Sequence, residues 1–233
     1  MAETPFVIVE AIYEGMTQLD FTAPHTAFSR IPKSQTIVAS RDGGEVTSDG
    51  GLTFAHTTKL ADIPRCDLLF FPGGFAATEI ANDAEFMAQA RRLGAGAKYL
   101  TSVCTGSIVL AATGLIRGRR AACHWAWRDM LSLFGAIPDP ARVARDGNII
   151  TGGGVTAGLD FALVVAAELA GEAFAQGLQL NLEYAPAPPF NAGRPESAPP
   201  EVLARVKARM DAILPQRLAE AKAAADAVVT IPG

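Results

Sequence analysis

The sequence predicts a doubly wound α/β sandwich built on a largely parallel central sheet. Three observations lead there. Short apolar runs such as residues 6–9 (FVIV) and 68–71 (LLFF) are too continuously hydrophobic for strands that face water on one side. Helix-compatible stretches alternate with these runs along the chain. A length of 233 residues suits one α/β domain that buries roughly 70% of its unfolded surface.

Residues 5–13 read as the first strand. Asp20 then precedes Phe21, Thr22, Ala23 and Pro24 in a helix-start pattern, with Phe21, Ala27 and Phe28 as the buried stripe. Locally, Asp20 is either an N-cap that stabilises by about 1 kcal/mol or a functional carboxylate. Residues 36–40 form a second strand. Residues 40–54, with Asp-Gly-Gly twice, predict a hairpin beside the main sheet. Those glycines serve turns, because no helix follows them and no GxGxxG is present. Residues 67–71 make a third core strand, ended by Pro72-Gly73-Gly74, where backbone is left open to a tight turn or a ligand.

A helix over 83–93, closed by Gly94 and Gly96, leads to a strand over 99–103 and a helix over 107–113. Between the last two sit Cys104, Thr105 and Gly106. A cysteine at a sharp strand-to-helix junction is pushed out of the sheet and faces the N–H groups of the next helix, which is how a nucleophile is built. A lone cysteine is equally an ordinary buried residue, so partner groups elsewhere decide.

Farther on, residues 121–124 predict a short strand and residues 125–134 a helix. Residues 142–144 and 148–151 pair around Asp146-Gly147. Gly152-Gly153-Gly154 opens a helix over 155–171 that is apolar nearly all round and therefore expected to be central. A helix over 174–182 precedes the Pro-rich segment 184–195. Residues 201–229 form an amphipathic helix, or a pair broken at Pro215. The expected organisation is an α/β domain over 1–198 and a helical extension over 199–233, packed on that domain or on a partner subunit.

Composition narrows the function classes. A net charge of −4 and a pI near 5.4 provide no field for nucleic acid or an anionic membrane. The first residues lack a basic region followed by a long apolar run, and no stretch reaches membrane-span length, so a cytoplasmic location is expected. Hydrophobic residues at 49% exceed what a monomer needs, which suggests a subunit interface. Cys66, Cys104 and Cys123 are widely separated, forming no CxxC pair and arguing against structural zinc. Cys66 and Cys123 read as packing residues, His25 and His56 as surface or capping groups, and Trp125 and Trp127 as core or interface aromatics. His124 is expected to be hydrogen-bonded structurally, with pocket lining as the alternative.

The motifs LDFTAPH from Leu19, FPGG from Phe71, TSVCTGS from Thr101, GRRAACHWAW from Gly118, DGNIITGGGVTAGLDFAL from Asp146 and LEYAPAPPFNAG from Leu182 together resemble the ThiJ/PfpI superfamily, specifically its isocyanide-hydrating branch. The resemblance implies a flavodoxin-like sandwich and a homodimer. It makes Cys104 the nucleophile, Asp20 the acid beside its sulfur and Thr105 a hydroxyl near the reacting centre. Gly74 and Phe75 would offer backbone N–H groups to the pocket, and Val155 would pack beside the cysteine. Neither metal nor cofactor is implied, and the substrate would be a small isocyanide. Thr105 in place of a histidine departs from the peptidase-like members, and Trp125 and Ala126 after His124 depart from the amidotransferases. A ligand- or oxidation-sensing protein and another small-electrophile hydrolase or glyoxalase are the alternatives.

Overall fold

The computed structural model describes residues 4–229. In chain order the elements are β1 (Phe6–Ala11), α1 (Gln18–Phe28), β2 (Ser34–Ser40), β3 (Gly44–Thr47), β4 (Thr53–Lys59), β5 (Leu68–Phe71), α2 (Ala77–Ile80), α3 (Ala84–Gly96), β6 (Tyr99–Val103) and α4 (Gly106–Ala112). They continue as β7 (Arg120–Ala122), β8 (Ile137–Asp139), β9 (Val143–Asp146), β10 (Ile149–Gly152), α5 (Ala157–Ala170), α6 (Glu172–Asn181) and α7 (Pro200–Val229).

Eight strands form one sheet in the order β3-β4-β2-β1-β5-β6-β10-β9. The inner pairings are parallel, and only the outermost pair at each edge, β3 with β4 and β9 with β10, is antiparallel. Side chains alternate between the two faces, as the twofold period of a strand requires. Val7, Val9, Leu69 and Phe71 enter one core with α3, α4 and α7; Ile8, Leu68 and Phe70 enter the other with α1, α5 and α6. The chain runs outward from β1 to β2 on one side and to β5 and β6 on the other. That reversal places the carboxyl ends of β1, β5 and β6 side by side, where doubly wound sheets hold their sites.

Several elements differ from the sequence expectation. Asp20 does not cap α1: the helix begins at Gln18 after Thr17, and Asp20 is buried within its first turn. Helix α3 runs through Gly94 to Gly96. Gly94 serves packing instead of termination, since a Cβ there would stand 2.6 Å from Leu115 Cδ1. The segment after His124 is a 3₁₀ helix confined to Arg128–Phe134, ended by Gly135 in left-handed conformation. Helix α5 is not buried all round. Phe161, Ala162, Val165 and Ala166 are covered, whereas Leu159, Leu163, Val164 and Leu169 are half-buried.

Pro215 does not divide the C-terminal helix, which is continuous over thirty residues. Met210, Ile213, Leu214, Leu218, Ala221, Ala224, Ala225 and Val228 recur with helical period and pack on the core shared by α3 and α4. Glu220 ties the helix to α2, its carboxylate accepting from Thr78 Oγ1 at 2.6 Å and its carbonyl from Asn82 Nδ2 at 2.9 Å. No helix among the described residues is long and apolar enough to cross a membrane.

Candidate active site

Cys104 leaves β6 with φ of +58°, a left-handed conformation that costs an L-residue about 1–2 kcal/mol. The surroundings enforce it. Its N–H donates to the carbonyls of Gly152 and Gly153 at 3.1 and 2.7 Å, tying the turn to the end of β10. Behind the turn, Ser107 Oγ lies 2.8 Å from Ser102 Oγ and donates to the Ala122 carbonyl at 2.5 Å. A Cβ on Gly106 would stand 2.3 Å from the Phe71 carbonyl, so only glycine lets α4 start this close to the end of β5.

The Pro72–Gly74 turn meets α1 above the cysteine. A Cβ at Gly73 would lie 2.7 Å from Asp20 Oδ2, from Cys104 Cβ and from Thr105 N alike. Carboxyl and cysteine therefore converge where residue 73 has no side chain. Both Asp20 oxygens are buried without a hydrogen bond of standard geometry, and what faces them is the Cys104 thiol and the Gly73 N–H. Burial raises the Asp20 pKa to about 7. Burial also drives the Cys104 pKa upward, reinforced by the Asp20 charge and opposed by the Thr105 N–H. The start of α4 thus does not make this thiol acidic; desolvation outweighs its N–H groups. The protonation of each group bears on that of the other.

Around Cys104 lies a small cavity of about 70 Å³, lined by Thr17, Gly74, Phe75, Thr105, His124, Trp127, Val155 and Met210. All the residues singled out in the sequence, apart from Asp20 behind the sulfur, border it. Their groups are used differently from expectation in two cases. Thr105 Oγ1 accepts from the Gly74 N–H and donates to the Gly74 carbonyl, both at 2.8 Å, so its hydroxyl is spent on holding the turn. For the same reason the Gly74 N–H is not free for a ligand. The group that Thr105 turns toward the sulfur is its backbone N–H.

Of the other contributors, Tyr13, Thr17 and Met210 had no local signal in the sequence. Tyr13 donates its hydroxyl to the Pro72 carbonyl at 2.8 Å and fixes the turn from below. Thr17 donates to Asp49 Oδ2 at 2.6 Å, so the β3–β4 hairpin braces the rim of the pocket. Met210 comes from α7, more than a hundred residues beyond the cysteine. Trp127 is buried. His124 is half-buried and its pKa is lowered by burial, which keeps the ring neutral; Nδ1 accepts from the Ala126 N–H at 3.3 Å. Cys66 and Cys123 are buried free thiols. His25 has a partner unforeseen in the sequence: Nδ1 lies 2.6 Å from Oε2 of the wholly buried Glu10. No group of three metal-ligating side chains is found among the described residues.

A doubly wound sandwich with a strained cysteine at the strand-to-helix turn and a buried carboxyl beside it defines the class of cysteine-elbow α/β proteins. The chain belongs to the DJ-1/PfpI family, which matches residues 7–168. It is 46% identical over 198 residues to the isonitrile hydratase of Pseudomonas putida, covering 85% of this chain and 87% of that protein. It is also 32% identical over 138 residues to the HTH-type transcriptional regulator CdhR of Pseudomonas aeruginosa, covering 58% of this chain and 40% of the regulator. Among solved structures, a ThiJ/PfpI family protein from Pseudomonas syringae superimposes with a TM-score of 0.88 at 42% identity, over 95% of this chain and 90% of that one. Drosophila melanogaster DJ-1beta shares the fold, with a TM-score of 0.70 at 22% identity over 78% of this chain and all of that one.

Proposed function

We propose that this chain hydrates isocyanides, R–N≡C, to N-formamides, with Cys104 as nucleophile and Asp20 as the proton carrier. The observation that carries the reading is the buried Asp20 carboxyl set against the strained Cys104, its pKa brought to about 7. A group that titrates near neutrality can both take and return a proton. The 46% identity to an isonitrile hydratase over most of both chains supports the choice of substrate.

In the proposed sequence Sγ attacks the terminal carbon while Asp20 takes the thiol proton and delivers it to that carbon. One S–H bond breaks, one S–C and one C–H bond form, and the product is a thioimidate, R–N=CH–S. Water then adds to the same carbon and gives a proton to Asp20. The C–S bond breaks, the sulfur recovers its proton from Asp20, and R–N=CH–OH rearranges to R–NH–CHO. No electrons are exchanged with another reagent. The Thr105 N–H steadies the sulfur while it carries charge.

The reading includes a homodimer at work in the cytoplasm, with the exposed apolar side chains Leu180 and Phe190 as candidate contacts. Mass spectrometry after brief exposure to an alkyl isocyanide tests the chemistry. The expected result is the mass of the isocyanide added at Cys104 and formamide in solution, both absent from Cys104→Ser. Full turnover by Cys104→Ser overturns the mechanism. Absence of adduct and formamide in the unaltered protein, together with stoichiometric oxidation of Cys104, moves the reading to a sensor.

A further inference from the structure

Next to the cysteine pocket lies a second cavity of about 300 Å³ that the proposed chemistry does not use. His124 and Val155 line both. Three guanidiniums border the second cavity, those of Arg128, Arg142 and Arg194, against a single carboxylate, Glu196. Arg142 is already engaged: Nε binds Asp160 Oδ2 at 2.6 Å and Nη2 donates to the Thr156 carbonyl at 2.9 Å. Arg128 and Arg194 have no ion pair among the described residues. In a protein of net charge −4 this is a local excess of positive charge beside the reactive sulfur.

We infer that this cavity is the subsite for a carboxylate on the substrate, so that the preferred isocyanides are ω-isocyano carboxylates. The inference rests on the hydratase reading and specifies its R group. With the isocyanide carbon at Cys104 Sγ, the chain of such a molecule passes between His124 and Val155, and its carboxylate meets Arg128 and Arg194. A planar guanidinium offers a carboxylate two parallel N–H donors, a geometry that a neutral ester cannot use as well. The family match ends at residue 168, and Arg194 lies beyond it, in the segment between α6 and α7. Specificity would then be added to the shared cysteine site by a part of the chain outside the family's common core.

The test compares ω-isocyano carboxylates of one to four methylenes with their methyl esters, in the unaltered protein and in the double variant Arg128→Gln with Arg194→Gln. At one or more chain lengths the acid is expected to exceed its ester in kcat/KM by about tenfold at low salt, with the gap narrowing at high salt. The double variant is expected to raise KM for that acid about tenfold and to leave the ester's constants within about twofold, which also serves as the folding control. Equal turnover of acids and esters overturns the inference, as does an equal loss for both in the variant. A change of oligomeric state in the variant, seen by sedimentation, also overturns it and assigns the arginines to a subunit contact. If no isocyanide of any kind is hydrated, the hydratase reading fails on its own. Titration calorimetry with ω-formamido carboxylates then decides the subsite: binding lost in the double variant sustains it, and no binding removes it.

Discussion

Asp20 and Cys104 meet above Gly73, with Oδ2 of one and Cβ of the other each 2.7 Å from the point a residue-73 Cβ would occupy. The first turn of α1, which follows β1, and the turns that follow β5 and β6 supply these residues, so the contact exists only because those strands are neighbours in the sheet. A charge-bearing group wholly enclosed in this way costs stability when it ionises, and its effect on folding can be measured separately from its effect on rate.

The Asp20 pKa is raised from 3.8 to about 7, so the folded state binds the proton more tightly than the unfolded state does. Stability is therefore greatest at acid pH with respect to this group and declines as pH rises from about 4 to about 7, each unit being worth about 1.4 kcal/mol. Asp20→Asn removes the titration. The variant should melt at a higher temperature than the unaltered protein at pH 8 and show little gain at pH 4, while hydration falls by about 10²–10⁴-fold. Thermal scans at the two pH values with a formamide assay check this; normal rates in the variant would take Asp20 out of proton transfer.

At Gly73 the smallest added side chain strikes the carboxyl, the cysteine and the Thr105 backbone together. Two of those three neighbours are not flexible ends that can swing away. Gly73→Ala is expected to lose about 1–3 kcal/mol of stability, and its activity should drop more than the unfolded fraction explains. Denaturant melts beside initial rates separate the two losses.

The Thr105 hydroxyl is joined to both polar groups of Gly74. Thr105→Val keeps the shape, takes the acceptor from the buried Gly74 N–H and leaves the Gly74 carbonyl with the Ala77 N–H alone, for an expected cost of about 1–3 kcal/mol. Thr105→Ser keeps both bonds and should stay close to the unaltered protein in stability and rate. A serine variant as impaired as the valine variant would mean that the threonine methyl holds the turn as much as the hydroxyl does.

Met210 of α7 lines the cysteine pocket, whose volume is only about 70 Å³. Met210→Ala should widen it and raise kcat/KM for cyclohexyl isocyanide relative to methyl isocyanide by about tenfold, since a few buried methylenes are worth roughly 1–3 kcal/mol of discrimination. An unchanged ratio would show that the helix does not limit substrate size.

How much was legible beforehand depends on the range of each interaction. The parallel core strands, the two antiparallel edge pairs and the cysteine between β6 and α4 come from apolar runs, Asp-Gly turns and a strand-to-helix change, all written in neighbouring residues. Asp20 was visible only as one of two alternatives, because a carboxylate at a helix start looks the same whether it caps the helix or is buried under it. The burial of α5 was overestimated, since hydropathy states how apolar a surface is and not what covers it. One helix and a pair broken at Pro215 fit the residues equally, and the packing of Met210 through Val228 on the core decides for one helix by compensating for one lost backbone bond.

By itself the sequence determined the sandwich, the strand-to-helix turn that carries Cys104 and the resemblance to the family that matches residues 7–168. Tertiary structure alone decided that the Thr105 hydroxyl holds a loop, that Tyr13 and the β3–β4 hairpin brace the site, that Met210 borders it, and that three arginines gather at the neighbouring cavity. It also decided that the thiol's pKa rises. The reason is physical: hydrogen-bond partners and desolvation are set by groups that lie close in space, whatever their separation along the chain.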